Sequence, residues 1–142
     1  MAEIRKKNLN RRIAIALLGL YCIARGIAYL PMFNLFDETP RGIELVSGII
    51  PLEFWAGAWV VVGVVAIVKA IIGKDGIAIP LACGMMMAWG TAFLYGWLEN
   101  ILMSGETSND WFSASTYILL SLVIAILSAK GGEEVEFVAE RN

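Results

Sequence analysis

The sequence predicts an all-α integral membrane protein, a four-helix bundle with both termini on the cytoplasmic side. Three observations carry this expectation. The 142 residues are 58% hydrophobic, with a mean hydropathy of +0.70, too apolar for a soluble domain of this length. Four apolar runs, 13–30, 51–72, 77–103 and 111–129, each have the length to cross a bilayer, and Pro, Gly or polar clusters separate them. The basic residues are sorted by side. Arg5, Lys6, Lys7, Arg11, Arg12, Lys69, Lys74, Lys130 and Arg141 fall at the cytoplasmic ends and termini, and Arg41 alone in an outer loop.

Residues 1–12 form a basic cytoplasmic head, suited to anchoring on anionic lipid; it is short and has no interleaved aromatics, which argues against nucleic acid. A basic head before an apolar run resembles a signal peptide. The run continues to Leu30 without a small-residue cleavage site, so a retained first helix over 13–30 is expected, stopped by Pro31. Residues 31–50 read as an outer loop on the membrane surface, with a short interfacial helix at Ile43–Val46. The second helix starts near Pro51, a residue suited to a first turn, and its Lys69 can snorkel to the cytoplasmic face. Gly73–Gly76 makes a tight turn into the third helix, 77–103. A polar outer loop follows, and Asn109 or Asp110 caps the fourth helix, 111–129. The acidic tail, 130–142, is expected to be cytoplasmic and poorly ordered, although EVEFV alone alternates like a strand. The head, the four-helix domain over 13–129 and the tail make up the chain.

Composition removes several functions. There is no histidine, so the commonest metal ligand and the commonest acid–base group near neutral pH are missing. Phosphate-loop, dinucleotide-binding, Cys/His metal and nucleophile-elbow spacings are absent. No catalytic residue, metal or cofactor is expected. Cys22 and Cys83 lie in apolar runs and read as small buried thiols, with a disulfide as the alternative.

Two patterns single out residues. Gly84, Ala88, Ala92 and Gly96 recur every four positions in the third helix, a stripe of small side chains that lets another helix approach closely, either within the bundle or from a second copy. The other pattern is a charge. Arg25 stands inside the first apolar run, where an unpaired charge costs about 2.5–3.5 kcal/mol on insertion scales. Glu53 opens the second helix and Glu99 lies toward the outer end of the third, so the topology puts all three at similar depth. Pairing of Arg25 with one or both carboxylates is the expected resolution. Aromatic residues concentrate at the same level, among them Tyr29, Trp55, Trp59, Tyr95 and Trp97, with Arg25 able to stack on Trp59 or Trp97. The cluster reads as a structural ion pair that fixes helix register, or as an outward-facing site for an anionic headgroup, a lipid-like ligand or a proton.

The basic head, GIAYLP closing the first helix, PLEFWAGAWVVVG opening the second and AWGTAFLYGWL in the third together resemble small four-helix membrane proteins encoded by phages of actinobacteria. The resemblance covers about 12–129. Some of those proteins are called holin-like, because their genes lie near lysins. It implies a non-enzymatic, self-associating protein of a bacterial host inner membrane, and it carries over no functional residue. An accessory subunit of a larger membrane complex and a lipid or small-ligand binder are the rival expectations. The partners expected are the bilayer and further copies or another membrane protein, not nucleic acid.

Overall fold

The computed structural model describes residues 2–30, 41–73, 76–105 and 107–139, with side chains over 8–30, 42–44, 46–73, 76–105 and 107–129. Among the described residues the chain is all-α, with five helices: α1 Ala2–Ala28, α2 Arg41–Ser47, α3 Leu52–Ile72, α4 Ala78–Ser104 and α5 Asp110–Ala139.

The helix ends follow from local chemistry. Pro31 disfavours helical backbone at the residue before it. Accordingly α1 closes on tighter turns, Tyr29 N–H to Gly26 O at 3.2 Å and Leu30 N–H to Ile27 O at 3.0 Å. Gly73 and Gly105 end α3 and α4 in the left-handed region, at φ 79° and 69°, and their N–H groups reach back to Lys69 O and Ile101 O. The short helix expected at 43–46 is α2, although residues 31–40 of that loop lie outside the described residues.

Both ends of the chain differ from expectation. The basic head is helical and runs into the first apolar stretch without a break, since α1 begins at Ala2. Arg and Lys are good helix formers, and no Gly or Pro interrupts the chain before Gly19. The tail is likewise helical, with α5 running on to Ala139 through the alternating EVEFV. Five alternating residues are too few to set a strand with no partner beside it.

α1 and α3 pack antiparallel along their length. The buried residues described in α1 are Ile15, Gly19, Cys22 and Gly26, with Tyr29 just past its end; those of α3 include Ala56, Trp59, Gly63, Ala66 and Ala70. These alternate in threes and fours, the seam of left-handed helix packing. At its centre the backbones nearly touch. A Cβ on Gly19 would lie 2.7 Å from the carbonyl oxygen of Gly63, and one on Gly63 would lie 2.6 Å from that of Gly19. Such closeness suits Cα–H···O contacts.

α4 and α5 form a second antiparallel pair, with Gly90 against Ala114 and Tyr117. α4 also touches α1, α2 and α3, which makes it the hub. α2 lies against it through Ile43 and through Gly42, which sits on the backbone of Ala92 and Phe93.

α3, α4 and the Asp110–Ala129 part of α5 are each long and apolar enough to cross a membrane, yet only 28%, 33% and 17% of their apolar stretches are buried in the molecule. Val61, Leu98, Leu119, Val123 and Leu127 are among the apolar side chains turned outward. A surface this apolar is tolerable in lipid and not in water. α1 has the length to span, but Arg11, Arg12 and Arg25 set its composition apart from the other three.

Candidate functional site

Arg25 lies in the last turn of α1, and Tyr21 and Tyr29 stand one turn to either side on the same face. Its guanidinium carbon is 5.6 Å from the centroid of the Tyr29 ring and 5.0 Å from that of Tyr117 on α5. Both are within cation–π range. Tyr21 also interacts with it.

The tyrosines belong to a larger aromatic centre with Trp89 in its middle. Trp89 is 1% exposed and donates from Nε1 to the Tyr29 hydroxyl at 2.7 Å. The Tyr29 and Tyr117 hydroxyls are 3.4 Å apart. The Trp89 ring meets Trp55 and Trp59 edge to face, at 5.0 and 6.1 Å between centroids. Trp59 in turn contacts Tyr21 and Tyr117 at 6.3 Å, and Phe93 stacks on Tyr117 at 5.8 Å. All four long helices contribute: α1 with Tyr21 and Arg25, and Tyr29 just past its end, α3 with Trp55 and Trp59, α4 with Trp89 and Phe93, and α5 with Tyr117. Offset and T-shaped aromatic pairs add about 0.5–1.5 kcal/mol each beyond the area they bury.

Three donors in this centre are buried without an acceptor: Arg25 Nε, Trp55 Nε1 and Trp59 Nε1. Native proteins leave few such groups, because each costs about 1–3 kcal/mol.

The expected charge cluster is arranged differently. Among the described residues, Arg25 lies among rings rather than beside a carboxylate. The inward face of α3 runs through Leu52, Trp55, Ala56 and Trp59, and Glu53 stands to one side of it, exposed. Glu99 is half-buried toward the end of α4 and makes contacts of its own. The guanidinium stacks on tyrosines and not on Trp59 or Trp97. Of the expected aromatic lining, Tyr29, Trp55 and Trp59 are in the centre. Trp97 is half-buried, with an Nε1 that also lacks an acceptor, and Tyr95 points outward at 60% exposure. Trp89, Tyr117 and Tyr21 complete it, and the i, i+4 spacing of Tyr21, Arg25 and Tyr29 is the signal that could have found the α1 part.

The small-residue stripe divides. Gly96 is buried and Ala92 is half-buried under α2, but Gly84 and Ala88 are exposed, and a Cβ on Gly84 would meet nothing within 4 Å. Four residues advance about 400° around a helix of 3.6 residues per turn, so such a stripe winds away by about 40° per step. The face that packs is Ala78, Ala82, Met86, Trp89, Gly90, Phe93 and Gly96. Cys22 and Cys83 are free thiols, and Cys83 Sγ lies 3.5 Å from the Ser121 carbonyl oxygen.

An all-α chain with three helices of this length and apolarity belongs to the multi-pass membrane proteins. No family model, curated protein or solved structure matches it.

Proposed function

We propose that the chain is a non-enzymatic, self-associating membrane protein of the holin type, whose four long helices all cross the bilayer with both termini cytoplasmic. The observation that carries self-association is the outward face of α4 at Gly84 and Ala88, with open space around the missing side chain of Gly84. Small residues on a lipid-facing helix let a second helix approach to backbone contact. The protomer does not use this part of the stripe for its own packing. The Arg25 centre supports the fold of each protomer by tying four helices together, and no nucleophile stands beside a general base among its described residues.

The test has two arms. Light scattering on the detergent-solubilised chain should show a homo-oligomer, and Gly84→Leu should shift it toward the monomer with its helical signal intact. Expression in a bacterial host should collapse a membrane-potential dye signal. A monomer in detergent, or growth with an intact potential at high expression, would sink the proposal. Co-purification of one different membrane protein in fixed ratio would favour an accessory subunit instead.

A second reading has its own support. Three acceptor-free donors around Arg25 suit an anionic or carbonyl-bearing ligand. Trp59→Phe removes one of those donors and keeps the ring. Loss of a co-purifying ligand by mass spectrometry, with unchanged folded yield, would favour binding; reduced folded yield alone would mark the centre as structural.

A further inference from the structure

Two fixed points set α1 and α5 against each other. The Arg25 guanidinium lies over the Tyr117 ring, and at the opposite end Arg11 and Ser128 line one cavity of about 250 Å³. α1 therefore runs antiparallel to α5, although among the described residues the two helices hardly touch between these points. Both continue past the cavity. α1 reaches back from Arg11 to Ala2, and α5 runs on from Ser128 to Ala139. Arg5 and Glu134 are each six residues beyond the shared level, about 9 Å at 1.5 Å per residue. The start of α1 and the end of α5 thus emerge side by side.

Their charges are opposite. The start of α1 carries Arg5, Lys6, Lys7 and Arg12 against Glu3, and the end of α5 carries Glu133, Glu134 and Glu136 against Lys130. Arg11 is already engaged and serves only to mark the level. Each set stands at the wrong pole of its own helix. A helix N-terminus is equivalent to about half a positive charge and a C-terminus to about half a negative one, so cations in the first turn and anions in the last are unfavourable. Arg5 lies in the first turn of α1 and Glu136 in the last turn of α5. Side by side and antiparallel, each end supplies the charge that the other lacks. α5 also needs support there. Gly131 and Gly132 follow each other inside it, and glycine weakens a helix interior. The seven residues from Glu133 to Ala139 are too few to hold a helix in water by themselves. Packing cannot act across a gap, whereas attraction between charges does.

We propose that the basic start of α1 and the acidic end of α5 close on each other as an electrostatic clasp within one chain. The clasp ties the α1–α3 pair to the α4–α5 pair at the end that the aromatic centre does not reach. It also occupies a basic segment that anionic lipid would otherwise attract. It follows from the helix register and holds on either side of a membrane.

The test is a distance measurement by double electron–electron resonance on the full chain in phosphatidylcholine nanodiscs, a bilayer without net charge. Spin labels go at Asn8→Cys and Val135→Cys, with Cys22→Ala and Cys83→Ala removing the native thiols. One short, narrow distance is expected. Glu133→Lys, Glu134→Lys and Glu136→Lys together should lose it. Adding Arg5→Glu, Lys6→Glu and Lys7→Glu should restore it, since the attraction is only reversed. High salt should broaden the distance, because exposed charges are screened beyond about 10 Å at 0.1 M. On the chain with its native thiols, Glu134→Gln and Glu136→Gln together should speed trypsin cleavage at Lys6 and Lys7. A broad distribution without the three lysines, a short distance that survives them, or an unchanged cleavage rate overturns the clasp. So does the same short distance between singly labelled copies mixed together, which would place the contact between molecules.

Discussion

The indole N–H of Trp89 donates to the hydroxyl of Tyr29 across 2.7 Å, inside a centre where both residues are nearly inaccessible. The bond joins α4, the hub, to the residue that follows α1. It also orients the Tyr29 ring beneath the Arg25 guanidinium. Tyr29→Phe keeps the ring and removes the acceptor, which leaves a buried indole donor unsatisfied. The expected loss is about 1–3 kcal/mol of stability, read as a lower unfolding midpoint by near-ultraviolet circular dichroism in detergent. A midpoint equal to wild type would show that the bond contributes nothing.

The glycines should separate sharply. Gly63→Ala places a methyl 2.6 Å from the Gly19 carbonyl oxygen, a backbone atom that cannot step aside. Overpacking of this kind costs about 1–3 kcal/mol. Gly84→Ala meets nothing and replaces a helix-interior glycine, a change worth about 0.5–1 kcal/mol in favour of the helix. Thermal unfolding of the two variants under one set of conditions checks the contrast.

On the proposed four-span arrangement, Arg25 opposes insertion of α1 while supporting its packing. Arg25→Leu removes a charge worth about 2.5–3.5 kcal/mol on insertion scales. The fraction of α1 inserted should therefore rise in a glycosylation-mapping assay. The same variant loses two cation–π contacts, each worth about 0.5–2 kcal/mol, so the unfolding midpoint should fall. If both quantities moved the same way, the opposition would be wrong.

Arg12 closes the far end of the α1–α3 pair by capping the carbonyls of Ala70 and Ile71. Arg12→Ala should speed amide hydrogen exchange in the last turn of α3 more than around Trp59. A charge-assisted hydrogen bond is worth about 1.5–3 kcal/mol, enough for a clear local change. Uniform acceleration along α3 would point to global destabilisation instead.

The positions of α3, α4 and α5, the stop before Pro31 and the short helix near Ile43 were all legible in the sequence, because Pro, Gly and polar clusters punctuate it. The inner faces were not. In water a helix marks its buried side by contrast with a polar outside. Here Leu119 and Val123 face outward and are as apolar as anything within, so the contrast is lost. That is why Gly84 and Ala88 share one stripe with Ala92 and Gly96 in the sequence though only part of it packs, and why the Gly19–Gly63 seam and the central place of Trp89 leave no mark on the pattern. Arg25 was legible as a site, but not its partners. A carboxylate is the obvious companion for a guanidinium, whereas the rings around it are Tyr29, one turn away, and Tyr117, from a helix distant in sequence.

That separation has a consequence for biosynthesis. Tyr29 and Tyr117 are 88 residues apart, and α5 leaves the ribosome after the other four helices. Arg25 therefore emerges long before the ring that completes its surroundings exists. Until then α1 can clasp α3 through their glycines, but on the four-span arrangement its arginine must stay near water or the translocation machinery. Synthesis of α5 is the event that lets α1 settle, so a chain truncated before Tyr117 should be selectively exposed to membrane quality control.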